Sequence, residues 1–338
     1  MKRRGAQRSL AEQPRAVRVG RVTAVAHPDA ASVRDLADRF RSYGYAVRNT
    51  PHFAMCRSPR RGGRTYVMHT FSQATVDEDV AGFIGDELAP LGFPSSQRDF
   101  GDALFGIVAS TSPPSLACPR CGRLHLDHPQ IWRHFSLNSL ERLRRLLQQP
   151  SGDQQAQSHL TCFAAIYRRI IDCRAGTSLL DIGSNLGLLP VLLADGQAEI
   201  VGCDNRPEAV ACAADLATAA RAKVSFVLRD VLASDFAMIG RHDTVTAVHL
   251  LEHLREQDVA VALSNMLSVT KRRLIIAVPY ETETQVVYGH VQSFTRSKLE
   301  SWGRWCVETV GGGEYWTEDV SGGFLVIDRL RQFDSPLT

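Results

Sequence analysis

The chain has 338 residues, 44% of them hydrophobic and 22% charged, with a formal net charge of +3 at pH 7. This length favours two domains, and this composition is that of a globular protein with enough apolar residues for a core. No apolar run approaches the roughly 18 residues of a membrane-spanning helix, and no apolar segment follows the basic N-terminus, so neither a membrane protein nor a secretory signal is expected.

The cysteines and the distribution of charge indicate the compartment of the protein and the kind of partner it contacts. Eight cysteines at scattered spacings favour reduced thiols in the cytoplasm over a disulfide framework. Residues 1–150 carry 22 Lys and Arg against 13 Asp and Glu, whereas residues 151–338 carry 17 against 23. A basic half can indicate contact with nucleic acid, but seven of these basic residues lie within residues 1–21, so we favour a solvated tail.

The first part of the chain predicts a tail and a small domain. Residues 1–20 are charged and lack periodic apolar positions, so a disordered tail is predicted. Residues 21–150 are predicted to form an α+β domain. Its predicted strands are 22–26, 45–47 and 65–71, and its predicted helices are 31–43, 76–89 and 137–149.

A cysteine pair in this domain is a candidate zinc knuckle. Cys118-Pro-Arg-Cys121-Gly has the spacing of two thiolate ligands followed by a glycine that lets the chain turn. A complete site needs two more ligands, which could come from His52, Cys56, His125, His128 and His134. The knuckle would be structural, and the alternative is a pair of free or redox-active thiols.

The second domain, predicted at residues 151–338, alternates strands with helices. This pattern predicts an α/β fold in which a parallel sheet carries helices on both faces. Predicted strands lie at 178–182, 199–204, 224–230, 244–249, 273–279 and 324–329, and predicted helices at 159–173, 186–194, 207–222 and 297–302.

The loop after the first of these strands is the most informative segment. An apolar strand ends in Asp181, and the chain turns through Gly183, Asn185 and Gly187 into a helix. Glycines let the backbone approach a ligand, and a helix N-terminus offers free N–H groups. A dinucleotide site would have a third glycine in place of Asn185, and Asp181 would repel a pyrophosphate. The loop therefore favours a ligand with an ammonium group, such as an amino-acid nucleoside.

The next two strand ends also carry acids. Asp204, followed by Asn205, is placed to accept both hydroxyls of a ribose. Asp230 can accept an adenine amino proton beside the apolar Val231. A single strand-end acid is equally consistent with a turn or a helix cap, but three in this order are hard to obtain by chance.

As a set, these segments resemble the class I methyltransferase superfamily across roughly residues 155–330. LLDIGSNLGLLP is similar to its first motif, IVGCDNRPEAV to its second, FVLRDVLA to its adenine-contacting segment, and VHLLEHL and LIIAVPYE to segments of its fourth and fifth strands. The resemblance implies a Rossmann-like sheet of seven strands, the last antiparallel, and S-adenosylmethionine as the methyl donor. It implies that Gly183 and Gly187 frame the methionine end of the cofactor, and that His249 lies beside it. Asn185 departs from the glycine common in the family.

Residues after the fourth and fifth strands are candidates for the acceptor side. Glu252 and His253 follow the fourth strand, and His290 precedes the last predicted helix. If both loops lie at the carboxyl edge of the sheet, the two imidazoles converge and can take a proton from an attacking hydroxyl or amine.

The same residues also resemble a metal site. The small-RNA 3′-terminal 2′-O-methyltransferases and, more loosely, the ubiquinone-pathway O-methyltransferases hold a divalent metal with E-x-x-E-H and a later histidine. Here His249 replaces the first acid, so a metal would meet three imidazoles and one carboxylate, a set that suits zinc or another transition metal better than magnesium. Alternatively, Glu252 and His253 only cap a helix and His290 packs in a loop.

The leading prediction is therefore methylation of a small-molecule oxygen or nitrogen in a bacterial biosynthetic pathway. The N-terminal domain would cover the acceptor or mediate contacts in a homodimer. One alternative is an RNA methyltransferase, in which the basic half grips nucleic acid, although the interleaved aromatic and basic residues of single-strand binders are missing. Another is a catalytically inactive binding module.

Overall fold

A computed structural model describes residues 15–60, 62–116, 128–149, 158–194 and 196–329. The chain forms two compact units, Met1–Asn138 and Ser139–Thr338.

The first unit contains a five-stranded mixed sheet. Its order is β1-β2-β5-β4-β3, in which β2 and β5 are parallel and the other neighbours antiparallel. The strands are β1 (Arg15–Val19), β2 (Val22–Ala26), β3 (Ala46–Asn49), β4 (Phe53–Arg57) and β5 (Thr65–His69).

Helices cover both faces of this sheet. Helix α1 (Ala30–Ser42), capped by the Asp29 side chain, packs on β3, β4 and β5 over a core that includes Val25 and Met68. On the opposite side, helix α3 (Gln97–Thr111) packs on β1 and β2, where Gly106 lies close to Ala24. The remaining helices of this part are α2 (Asp79–Phe83), a π-helical turn (Ile84–Leu88), a 3-10 turn (Ala89–Leu91) and α4 (Pro129–Gln148), which continues into the second unit.

The structure differs from the sequence-based expectation at four places in the first unit. Part of the segment predicted to be disordered forms β1, because an edge strand can pair its backbone while exposing its charged side chains. Strand β4 and helix α3 were not predicted, although Ser96 caps α3 by accepting from the Asp99 N–H. Helix α4 begins eight positions before the predicted residue 137.

The second unit contains a seven-stranded sheet of order β11-β12-β10-β9-β6-β7-β8. Five neighbouring strands are parallel, and the last strand, β12, is antiparallel to both of its neighbours. The strands are β6 (Ser178–Ile182), β7 (Glu199–Asp204), β8 (Ser225–Leu228), β9 (His242–Val248), β10 (Thr270–Val278), β11 (Glu314–Asp319) and β12 (Gly323–Asp328). The predicted Rossmann-like sheet of seven strands is confirmed.

Five helices accompany this sheet: α5 (His159–Cys173), α6 (Leu188–Leu193), α7 (Pro207–Ala220), α8 (Glu256–Val269) and α9 (Arg296–Thr309). Apolar residues of β6, β9, β10 and β12 pack with α8 and α9 into one core, in which Leu180, Val245, Ile276 and Leu325 are fully buried. The carboxyl ends of the parallel strands share one edge of the sheet, where open α/β folds bind ligands. No helix in the described ranges is long and apolar enough to cross a membrane.

Candidate functional site

The loop between β6 and α6 is held against the end of β7. The N–H groups of Gly183 and Ser184 both donate to the Cys203 carbonyl, at 2.8 and 2.9 Å. Gly183, Asn185 and Gly187 all have positive φ, of 74°, 47° and 78°. Asn185 therefore keeps the left-handed backbone that a glycine would allow, since asparagine enters this region more readily than most residues.

Gly187 is required by packing as well as by its backbone. A Cβ at this position would lie 2.6 Å from the Phe226 ring and 2.8 Å from the Cβ of Ala213. Phe226 also approaches Gly202, where a Cβ would lie 2.6 Å from the ring. The phenyl ring thus fills the space that two glycines leave between the loop and β7.

We expect Gly187→Ala to lower the free energy of unfolding by about 2–5 kcal/mol, from overpacking and left-handed strain together. Gly196→Ala is the matched control, because Gly196 has a φ of 82° and no atom within 4 Å of its ideal Cβ. It should lose only the strain, about 1–2 kcal/mol. Urea unfolding measures both variants, and equal losses would contradict the packing argument.

Asp181, which is predicted to repel a pyrophosphate from the loop, is 4% exposed. It accepts a 2.7 Å hydrogen bond from the Thr246 hydroxyl, a partner on β9 that the sequence did not indicate. Burial, with a smaller contribution from Asp204, raises its pKa to about 7. Its contact with the ammonium group of a ligand stays a prediction.

Asp204, the predicted ribose acceptor, lies at the end of β7 and is 6% exposed. Its carboxylate accepts the N–H groups of Asn185 and Arg206, each at 3.0 Å. The Arg206 guanidinium also donates to Asp204 at 3.4 Å and to the Asn185 side chain at 2.9 Å. Asp204 and Arg206 therefore fix the glycine loop to the second strand end.

The other residues predicted to contact the cofactor follow the carboxyl ends of β7 and β8, at the same edge of the sheet. Asn205 follows Asp204 and is exposed. Asp230, after β8, is exposed and accepts the Leu232 N–H at 2.9 Å, while Val231 is buried. Asp230 therefore presents an exposed carboxylate beside an apolar side chain, and its contact with adenine stays a prediction.

The two loops of the predicted acceptor side are joined by hydrogen bonds. The Val291 N–H donates to the Glu252 carbonyl at 2.9 Å, and the Gln292 side chain donates to the carbonyls of Leu251 and Leu254 at 3.0 and 2.6 Å. The rings of His253 and His290 then lie 5.0 Å apart, edge to face. The structure thus brings together the two histidines that the sequence placed in separate loops.

Each of these histidines has a hydrogen-bond acceptor at Nδ1. His253 Nδ1 lies 3.2 Å from the Gly289 carbonyl, and His290 Nδ1 lies 2.8 Å from a Glu281 carboxylate oxygen. Assigning the hydrogen to Nδ1 lets each ring donate to its acceptor and leaves Nε2 with its lone pair. Burial raises the pKa of Glu281 above its ordinary value. Partial desolvation lowers the pKa of His253, although the residue is exposed, and burial lowers the pKa of His290 to about 4. These lowered pKa values favour the neutral form of both imidazoles at pH 7.

Glu252 is fully buried beside the histidine pair, and neither of its carboxyl oxygens has a hydrogen-bond partner among the described residues. Burial, and then the charge of Glu281, raises its pKa to about 8. Ligand atoms of Glu252, His253 and His290 lie within 4.8 Å of one another, which fits a metal-binding set.

His249 does not join this set, so the predicted arrangement of three imidazoles and one carboxylate is not formed. It lies at the end of β9 with a φ of 50°, and its ring packs 5.4 Å from that of Phe163 on α5. Burial, and then the neighbouring histidines, lowers its pKa to about 3. Its predicted place beside the cofactor stays a prediction.

The candidate zinc knuckle, Cys118 and Cys121, lies outside the described residues, as does His125. Of the upstream pair, His52 contacts Glu87 through its Nδ1 and stacks on Phe83, and Cys56 is fully buried. Burial raises the pKa of the Cys56 thiol to about 11, which disfavours the thiolate that a metal requires.

Sequence reasoning missed Thr246, Arg206 and Glu281. Thr246 lies near the carboxyl end of β9, and its partner Asp181 is 65 positions away, so that contact depends on the sheet order. Glu281 follows β10, and its partner His290 is nine positions away, so that contact depends on how the loop after β10 folds back.

Comparisons with known proteins bear on the second unit. Residues 179–273 match the model of the family described as "Methyltransferase domain". No curated protein matches the sequence.

Three solved structures similar to part of the chain each have a TM-score of 0.40. The methyltransferase domain of a bacterial Hen1 (CtHen1) is 19% identical, over 48% of this chain and 95% of that one. Magnesium protoporphyrin IX methyltransferase from Synechocystis PCC 6803, with bound SAH, is 19% identical, over 59% and 99%. The N-terminal domain of EvdMO1, with SAH and D-fucose, is 21% identical, over 57% and 95%.

Proposed function

We propose that this protein transfers a methyl group from S-adenosylmethionine to an oxygen or nitrogen of a small-molecule acceptor, a reaction supported by the match of residues 179–273 to the methyltransferase-domain model. His253 and His290 serve as the general base and as the group that positions the acceptor. Glu252 lies beside them in the same site.

The observation that carries this proposal is the close approach of the His253 and His290 imidazoles in the loops at the carboxyl edge of the sheet. Their rings lie 5.0 Å apart, and each Nδ1 has an acceptor that leaves Nε2 free to take a proton. A base of this kind contributes typically 10²–10⁴-fold to a reaction that moves a proton.

One group of residues would bind the methyl donor, and another would bind the acceptor. When bound, S-adenosylmethionine supplies an electrophilic methyl group on a sulfonium. On the donor side, Asp204 would hold the ribose, Asp230 and Val231 the adenine, and the loop through Gly183 and Gly187 the methionine end. On the acceptor side, the histidines orient the nucleophile in line with the methyl group and take its proton, and much of the rate comes from that positioning.

An acceptor panel tests the proposal. The protein would be incubated with S-adenosylmethionine and a phenol, a catechol, an aliphatic alcohol, an aromatic amine or a short single-stranded RNA, and release of S-adenosylhomocysteine measured. We expect turnover with a small molecule. We also expect a His253→Gln/His290→Gln double variant to lose about 10²–10⁴-fold in kcat while keeping its cofactor affinity. Turnover of the double variant within a few-fold of wild type would contradict the role of the histidines.

A second candidate is metal-assisted 2′-O-methylation of RNA. It is favoured by the buried Glu252 carboxyl, which has no hydrogen-bond partner in the part of the chain that the structure describes and whose oxygen lies within 4.8 Å of ligand atoms of His253 and His290. These three residues would hold a divalent cation, which lowers the pKa of a hydroxyl that binds to it. Methylation of the RNA alone, abolished by a chelator, would replace the first proposal with this one. Cofactor binding without turnover of any acceptor would favour an inactive binding module.

A further inference from the structure

Glu281 has a fixed place next to the histidine pair. It follows β10, and its N–H donates to the Phe294 carbonyl at 3.2 Å, next to an isolated bridge between Tyr280 and Phe294. One carboxylate oxygen accepts the Gln285 N–H at 3.4 Å, and the other contacts His290 at 2.8 Å. Backbone contacts at both ends of the loop therefore hold this carboxylate in position.

Glu281 distinguishes the two histidines chemically. The side chains of Glu281 and His290 are each 10% exposed, so their contact is shielded from water. His253 is exposed, and its acceptor is a neutral backbone carbonyl at 3.2 Å. When His290 takes a proton, the imidazolium that forms lies beside a carboxylate, which stabilises its charge. When His253 takes a proton, its imidazolium is stabilised only by the dipole of a backbone carbonyl. Hydrogen bonds between ionised groups are roughly twice as strong as neutral ones.

We propose that Glu281 and His290 form a carboxylate–imidazole pair in which His290 is the proton acceptor and Glu281 its positioning residue. The inference rests on the proposed methyl transfer and assigns its proton. The acceptor oxygen or nitrogen forms a bond to the methyl carbon as the carbon–sulfur bond breaks, and its proton passes to His290 Nε2. Glu281 keeps the hydrogen on Nδ1 and stabilises the imidazolium until the proton leaves to solvent. His253 orients the acceptor.

A spectroscopic test does not require the acceptor to be known. Protein with ¹⁵N-labelled histidine would be studied by long-range ¹H–¹⁵N correlation at pH 7.5, with His290 assigned from a His290→Gln spectrum. We expect a protonated Nδ1 and an unprotonated Nε2 in wild type. Glu281→Gln should keep this tautomer, since its amide oxygen can accept the same hydrogen bond, and Glu281→Ala should shift toward the Nε2–H form. An Nε2–H tautomer in wild type, or an unchanged spectrum in Glu281→Ala, would overturn the assignment.

Turnover is the second readout. It is measured with the acceptor from the panel described above that the wild-type protein methylates. Glu281→Ala should lower kcat by about 10–100-fold with little change in the acceptor KM, and Glu281→Gln should recover part of the loss. Glu283→Gln is the matched control, because Glu283 lies in the same loop and is exposed. Full activity of Glu281→Ala together with a strong loss in His290→Ala would reject the pair but keep the base. Full activity of His290→Ala would reject the proposed base itself.

Discussion

Replacing Asp204 with alanine is expected to abolish binding of S-adenosylmethionine. In the proposed donor site this carboxylate accepts two ribose hydroxyls, and hydrogen bonds to a charged group are worth about 1.5–3 kcal/mol each. Two such bonds correspond to a loss of about 10²–10⁴ in affinity. The same carboxylate accepts the N–H groups of Asn185 and Arg206, so the glycine loop also loses its attachment to β7.

Isothermal titration calorimetry measures this effect directly. Glu208→Ala is a suitable control, because Glu208 is an exposed acid in the first turn of α7. It should bind the cofactor like wild type. Asp204→Asn should fall between the two, since an amide keeps one acceptor oxygen. Unchanged affinity in Asp204→Ala, with a normal unfolding transition, would show that the donor site is wrongly placed.

Replacing Glu252 with glutamine is expected to stabilise the protein at high pH. Burial raises the pKa of this carboxyl to about 8, so the folded state holds a proton that the unfolded state releases at its ordinary value, 4.5. Ionisation therefore costs stability progressively as pH rises from about 4.5 to about 8, and the full cost is present above that value. Glu252→Gln removes the charge, and we expect a gain of about 2–5 kcal/mol at pH 9 and little change at pH 5.

Urea unfolding at the two pH values checks this sign. Asp181 also has a raised pKa, but it is present in both proteins and cancels in the comparison. The exposed Glu283→Gln should show no such gain. A loss of stability in Glu252→Gln at pH 9 would mean that the carboxylate has a stabilising partner in solution. If that partner is a metal, zinc at pH 7.5 should raise the melting temperature of wild type and not of Glu252→Gln.

The position of the predicted donor-side residues at one edge of the sheet could be predicted from the sequence, whereas their contacts with the cofactor stay a prediction. These residues follow buried strands directly, and the strand order of a parallel sheet places Asp181, Asp204 and Asp230 at one edge. The conformation of Asn185 was not predictable, because a motif states which residue is present and not which φ it adopts.

The acceptor half was predictable only as a convergence of His253 and His290. Glu281 gave no signal, since its role depends on a loop that folds back to place Phe294 against its backbone. In the first unit, α3 was missed because its sequence is apolar on more than one side, as its seven buried residues show. Strand β1 was missed because the charged side chains of a segment do not indicate whether its backbone pairs with a neighbouring strand.

The hydrogen bonds from Val291 and Gln292 to the segment around Glu252 have a thermodynamic consequence. They order the acceptor-side loops in the protein by itself, so this part of the conformational entropy is already lost before any acceptor arrives. Binding of the acceptor then requires no folding of these loops, so that more of the binding free energy is available to orient the nucleophile. Acceptor binding should accordingly resemble docking to a rigid surface rather than coupled folding and binding.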